Sequence, residues 1–99
     1  LEQYPDSTYA SNAQYWLGEA HYALRQFNEA LTEFDAVVEK YPASAKVPDA
    51  MLKKGYILYE FKSWDAAEAI FIRIQEKYPG SSAARLATSR LEQLQRDRL

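Results

Sequence analysis

Cysteine is absent from the 99 residues, so no disulfide holds this chain and no thiolate can ligate a metal. That absence leaves the compartment open, because an oxidising compartment permits disulfides without demanding them. Histidine occurs once, at His21. A metal centre there would have to be completed by carboxylates, and Glu19 lies round the helix from it. The glycines number three and form no phosphate-binding loop, and the serines show no nucleophile elbow. No enzyme chemistry, cofactor or metal is therefore expected. A dominant charge is lacking too: a formal net charge of -2 provides no footprint for nucleic acid. Apolar runs such as Tyr56-Ile57-Leu58-Tyr59 fall far short of the roughly 18 residues needed to cross a bilayer, so no membrane insertion is expected. The chain opens at Leu1 with neither Met nor a signal peptide, which predicts a piece of a longer protein.

What is present repeats. Tyr-Pro-x-Ser occurs at Tyr4-Pro5-Asp6-Ser7, Tyr41-Pro42-Ala43-Ser44 and Tyr78-Pro79-Gly80-Ser81, in equal steps of 37 residues. The same step lays Ala13 over Ala50 and Ala87, Gly18 over Gly55, Phe27 over Trp64, Ala30 over Ala67, Phe34 over Phe71 and Val37 over Ile74. A period in this range predicts a solenoid, in which each unit needs a neighbour to bury its apolar face.

Inside each unit the apolar spacing is helical. Ala10, Ala13, Leu17, Ala20 and Leu24 step by 3, 4, 3 and 4, the stripe of a core-facing helix. A second stripe runs Phe27, Ala30, Leu31, Phe34, Val37, Val38 and Tyr41. Val47, Ala50, Met51, Ile57, Leu58 and Phe61 make the third, and Trp64, Ala67, Ile70, Phe71, Ile74 and Tyr78 the fourth. Ala84, Ala87, Leu91 and Leu94 open a third unit that lacks its second helix. Ser7, Ser44 and Ser81 suit helix N-caps, as does Ser63, and the prolines close the helices before them. The spacing predicts helices over about 7–24, 27–40, 44–61, 64–77 and 81–97, with short connections that make neighbours antiparallel. The fold class expected is all-α: a solenoid of about 2.5 helical hairpins, five helices in a right-handed superhelical stack. One domain is expected over 1–99, with 1–5 ending an upstream helix, 6–42 and 43–79 forming repeats 1 and 2, and 80–99 the terminal helix of repeat 3.

The small residues have a packing role in this reading. Gly18, Ala20, Ala30, Gly55 and Ala67 let helices approach to about 8–10 Å beside Phe27, Phe34, Trp64 and Phe71. Leu17-Gly18, Ala30, Phe34 and Pro42 reproduce the offsets of the tetratricopeptide repeat, and Gly55, Ala67, Phe71 and Pro79 repeat them. Lys54 departs from the pattern where Leu is expected, and the period of 37 exceeds the usual 34 or so. The run Tyr4-Pro5-Asp6-Ser7-Thr8-Tyr9, with Asn12-Ala13-Gln14-Tyr15-Trp16-Leu17-Gly18-Glu19, resembles the carboxy-terminal repeat domain of the YbgF/CpoB family. Lys46, Asp49-Ala50-Met51, Lys54-Gly55 and Lys77-Tyr78-Pro79-Gly80 continue the likeness. The resemblance implies a periplasmic protein with a signal peptide and a trimerising coiled coil upstream. It also implies binding to TolA or another envelope protein of the Tol-Pal system, coordinating peptidoglycan synthesis with outer-membrane constriction in cell division. The repeat lipoprotein of the outer-membrane barrel-assembly machinery shares the Tyr-Pro-x-Ser style and is the alternative.

The family's concave-groove positions, carried over through that resemblance, fall on Asn12, Tyr15, Glu19 and Tyr22, then Asp49, Leu52, Lys53, Tyr56 and Tyr59, then Ser89, Arg90 and Gln93. The tyrosines would form an aromatic floor edged by both charge signs, suited to a peptide or helix of mixed character. Tyr15 and Tyr59 remain open between groove and core, whereas Tyr22 and Tyr56 are expected in the groove. The carboxylate clamp of chaperone-binding members is mostly missing, because its positions hold Tyr15, Glu19, Lys53, Leu86 and Arg90. Arg85, Arg90, Arg96 and Arg98 make the last helix basic, either as favourable charge near a helix C-terminus or as a patch for an anionic partner. Two further roles stay open: self-assembly that shields Leu91 and Leu94 at the unfinished end, and service as an appendage to an enzyme outside this chain.

Overall fold

In a computed structural model the structure describes residues 3–99, with side chains from Thr8 onward. The described residues form five helices and no strand: α1 (Gln3–Ala23), α2 (Phe27–Lys40), α3 (Val47–Glu60), α4 (Trp64–Lys77) and α5 (Ser82–Asp97). The all-α architecture read from the spacing is the one observed, and α2 and α4 coincide with their expected ranges. The chain divides into two compact units, 1–50 and 51–99, with the division falling inside α3.

In unit 1, α1 packs on α2 through Ser11, Tyr15 and Gly18, against Ala30, Phe34 and Val37, all of them buried. The contact is close because Gly18 has no side chain: a Cβ there would lie 2.6 Å from Cε1 of Phe34. The expected stripe of α1 is overturned. Leu17 is 46% and Leu24 68% exposed, and Ala13 and Ala20 are exposed as well. The reason is geometric: residues 11, 15 and 18 lie on the side of a 3.6-residue helix opposite residues 13, 17 and 20, and α2 takes the first of these sides. Glycine, serine and tyrosine do not score as an apolar stripe, so periodicity selected the wrong face.

In unit 2 the same columns recur. Ala67, Phe71 and Ile74 of α4 are fully buried, and a Cβ on Gly55 would lie 2.4 Å from Cε1 of Phe71. Helix α5 lies against α4 and buries Ala83, Ala84, Ala87 and Leu94. Leu94 is therefore already shielded, which removes one of the two residues that suggested self-assembly at this end.

The ends of the helices separate along a different line. Arg25 and Lys62 both adopt φ 60. Each follows its helix as a left-handed cap, and the next amide closes a six-residue return, Gln26 N–H to His21 O at 2.8 Å and Ser63 N–H to Leu58 O at 2.9 Å. These two equivalent turns make the two hairpins alike. Ser81 caps α5 as expected, accepting from Ala84 N–H at 3.0 Å. Ser63 stands at the N-cap of α4 but makes no side-chain cap bond. Ser44 sits in the turn ahead of α3, which starts at Val47 rather than 44; its hydroxyl accepts from Lys46 N–H and donates to Ser11 Oγ at 2.9 Å. Helix α1 spans Gln3–Ala23 among the described residues, so Pro5 and Ser7 lie within it. Pro5 is tolerated because it occupies the first turn, where no intrahelical partner awaits its amide.

Candidate protein-binding site

In unit 1 the expected groove residues take separate roles. Tyr15 is 6% exposed, with its ring 5.6 Å from that of Phe34, centroid to centroid. Its hydroxyl donates to Glu19 Oε2 at 3.1 Å. Of the two readings left open for Tyr15, burial favours core. Tyr22 is half-buried against Phe27, with ring centroids 5.7 Å apart. Asn12 lines a cleft of about 470 Å3 with Thr8, Ser11 and the segment 40–45. Asp49 is half-buried in the first turn of α3. Lys46 was outside the expected site, yet its ammonium lies 4.8 Å from the Tyr15 ring and 5.1 Å from that of Trp16. Trp16 is 57% exposed, and its aromatic bulk on an outer face was the available signal.

Unit 2 brings four of the expected residues together. The Arg90 guanidinium of α5 lies 4.1 Å from the Tyr56 ring and 5.0 Å from the Tyr59 ring, both on α3. The Lys53 ammonium lies 5.6 Å from the same Tyr56 ring. Behind them Tyr56 tilts on Phe71 at 6.2 Å and Tyr59 meets Trp64 edge-on at 5.2 Å. The cluster follows from the repeat: Tyr56 and Tyr59 are one helical turn apart, and Arg90 falls in the same column as Lys53. Gln93 is exposed one turn further along α5 and joins none of these ring contacts. Leu52, by contrast, is 4% exposed and belongs to the core.

The electrostatics fit the geometry. Burial pushes the Tyr56 phenol upward, opposed by the Arg90 charge. Burial, with the hydrogen bond and charge of Asp97, pushes Tyr59 up to about 12 against Arg90 and Arg96. Tyr59 donates to Asp97 Oδ2, a partner that no sequence pattern singled out. The basic residues of α5 are largely engaged within unit 2. Arg85 donates to Gly80 O at 3.1 Å, and Arg98 bridges Asp65 at 2.5 Å and Glu68 at 3.4 Å. Of the four arginines, Arg98 is the one these ion pairs neutralise, while Arg85, bonded only to a carbonyl, keeps its exposed charge. His21 shares a 2.7 Å hydrogen bond through Nδ1 with Gln26 Oε1. Among the described residues no three His, Asp or Glu side chains converge to hold a metal, and no helix is long and apolar enough to cross a membrane.

Two paired helical hairpins with glycine-on-phenylalanine contacts, repeated every 37 residues, agree with the comparison to protein families. The model described as tetratricopeptide repeat matches residues 1–45 and 15–82. The chain belongs to the tetratricopeptide repeat family. No curated protein matches it. Tetratricopeptide repeats form a non-catalytic fold whose role is to bind other proteins, and the chain is read as such a module.

Proposed function

We propose that this tetratricopeptide domain is the partner-binding part of a periplasmic envelope protein of the YbgF/CpoB kind. It engages TolA or a similar envelope protein and thereby coordinates peptidoglycan synthesis with outer-membrane constriction during cell division. The domain itself catalyses nothing, and the whole protein trimerises through a coiled coil. The likeness of residues 4–9 and 12–19 to that family supports the choice of partner.

The observation that carries the reading is the Arg90 guanidinium held 4.1 Å from the Tyr56 ring and 5.0 Å from that of Tyr59, with Lys53 alongside. A guanidinium contacts aromatic rings through its face while its N–H donors lie in its plane. Tyrosine and arginine are also the residues that most often anchor protein interfaces. This surface suits a partner segment that lays apolar side chains on the rings and offers a carboxylate to the cations. Tyr22, in unit 1, is a second contact in this reading.

Titration calorimetry with a periplasmic TolA fragment tests it. Tyr56→Ala should weaken binding by about 2 kcal/mol or more, as expected of a central anchor. Lys53→Ala should chiefly slow association and reduce its salt dependence. Glu29→Ala, on α2, should leave affinity unchanged. Loss of binding in the Glu29 variant with none in the Tyr56 variant would move the site off this face.

A further inference from the structure

In unit 1 the turn between α2 and α3 is tied to α1 by a chain of hydroxyls. Ser44 Oγ donates to the buried Ser11 Oγ at 2.9 Å, and Ser11 Oγ donates to Thr8 O at 3.2 Å. The same Ser44 hydroxyl accepts from Lys46 N–H at 3.0 Å. The backbone of Lys46 is thereby held beside α1, and its ammonium rests 4.8 Å from the Tyr15 ring and 5.1 Å from that of Trp16. Those two rings meet edge-on at 5.3 Å, so the cation sits on a pair of aromatic surfaces. Ring faces attract an ammonium but leave its three N–H donors to be satisfied elsewhere. Among the described residues no carboxylate pairs with Lys46, whereas Arg98 has two. Beside it Trp16 is 57% exposed.

The openness of Trp16 follows from its place in the repeat. One and two periods on, its column holds Lys53 and Arg90, both only half-buried. Ala50 and Ala87, in the column of Ala13, are by contrast fully buried. Packing along the repeat therefore covers the column of Ala13 and leaves that of Trp16 within reach of a ligand. An ammonium with unspent donors beside an exposed indole is complementary to a carboxylate that brings an apolar neighbour with it. Because the chain belongs to a protein-binding family, that carboxylate is an amino-acid side chain. We propose that Lys46 and Trp16, on the floor provided by Tyr15, form a docking point in unit 1 for an acidic residue of a protein partner. The apolar residue next to that acid lies on the indole. The inference rests on the chain being a protein-binding module, and not on TolA being the partner.

The probe is the peptide Ala-Leu-Asp-Leu-Ala, acetylated and amidated so that the aspartate carries its only charge. Titrated into the isotope-labelled 99-residue chain, it should move the Trp16 indole N–H and the Lys46 amide resonances to saturation. The same peptide with Asn for Asp should bind about fivefold more weakly, the scale of an exposed ion pair. Lys46→Met keeps the side chain's length without its charge and should weaken binding by a similar factor, with an unchanged circular dichroism spectrum; Lys46→Arg should restore it. The Trp16 shifts should persist in Arg90→Met, which removes the cation of the cluster in unit 2. Peptide binding at Trp16 without binding of a TolA fragment would refute the proposed partner and still support this site. An unmoved Trp16 indole overturns the proposal, as does equal binding of the Asn peptide or equal binding by Lys46→Met. So does loss of the Trp16 shifts in Arg90→Met, since the acidic residue would then be held in unit 2 alone.

Discussion

At Gly55 a missing side chain lets the Phe71 ring lie against α3, since a Cβ there would come within 2.4 Å of the ring. Phe71 is fully buried and has nowhere to swing. Alanine would raise helix propensity by about 1 kcal/mol, yet overpacking costs about 1–3 kcal/mol. Gly55→Ala and its equivalent Gly18→Ala are therefore expected to lower stability, measured by urea denaturation; a gain would show that the ring can move aside. Tyr59 offers a second test, by pH. Its phenol is pushed from an ordinary 10.0 to about 12, so the fold favours the neutral form. The associated stability is complete below pH 10 or so and is lost as pH rises through about 12. Ultraviolet titration should show one tyrosine ionising late, and Asp97→Asn should bring that step earlier. An unchanged step would mean that Asp97 contributes nothing.

Helix ends that look alike in sequence differ in their bonding. Ser81 and Ser63 both stand at N-caps, but only Ser81 accepts a backbone amide with its side chain. Ser81→Ala should cost about 1 kcal/mol and Ser63→Ala a few tenths, read as shifts of the thermal midpoint. Equal losses would show that the cap hydroxyl is not what distinguishes them. This is also where reading from sequence reached its limit. Helices α2 and α4 were legible to the residue because Ala30, Phe34 and Val37, and their repeats Ala67, Phe71 and Ile74, point to one buried stripe. Helix α1 was legible as a helix but not in its facing, because it has two usable sides and the more apolar one is exposed. Its start was misplaced for a related reason: Tyr4-Pro5 matches segments that end helices elsewhere, whereas in α1 it falls in the first turn.

Across the whole chain, the repeat governs what can be inferred about function. It placed Lys53, Tyr56, Tyr59 and Arg90 in register, and unit 2 gathers them around shared ring faces. It could not foresee Asp97 on Tyr59 or Lys46 on Trp16, since those contacts depend on where long side chains reach rather than on period. Nor could it separate core from surface among tyrosines, which carry both an apolar ring and a polar tip. The claim on which the functional account turns is that a protein partner lies on the Tyr56–Arg90 face. Amide chemical-shift mapping of the labelled chain, titrated with a periplasmic TolA fragment, tests it most directly. The account predicts that the largest shifts fall on Lys53, Tyr56, Tyr59, Arg90 and Gln93 and vanish in Tyr56→Ala; shifts confined to α2, or none at saturating partner, would contradict it.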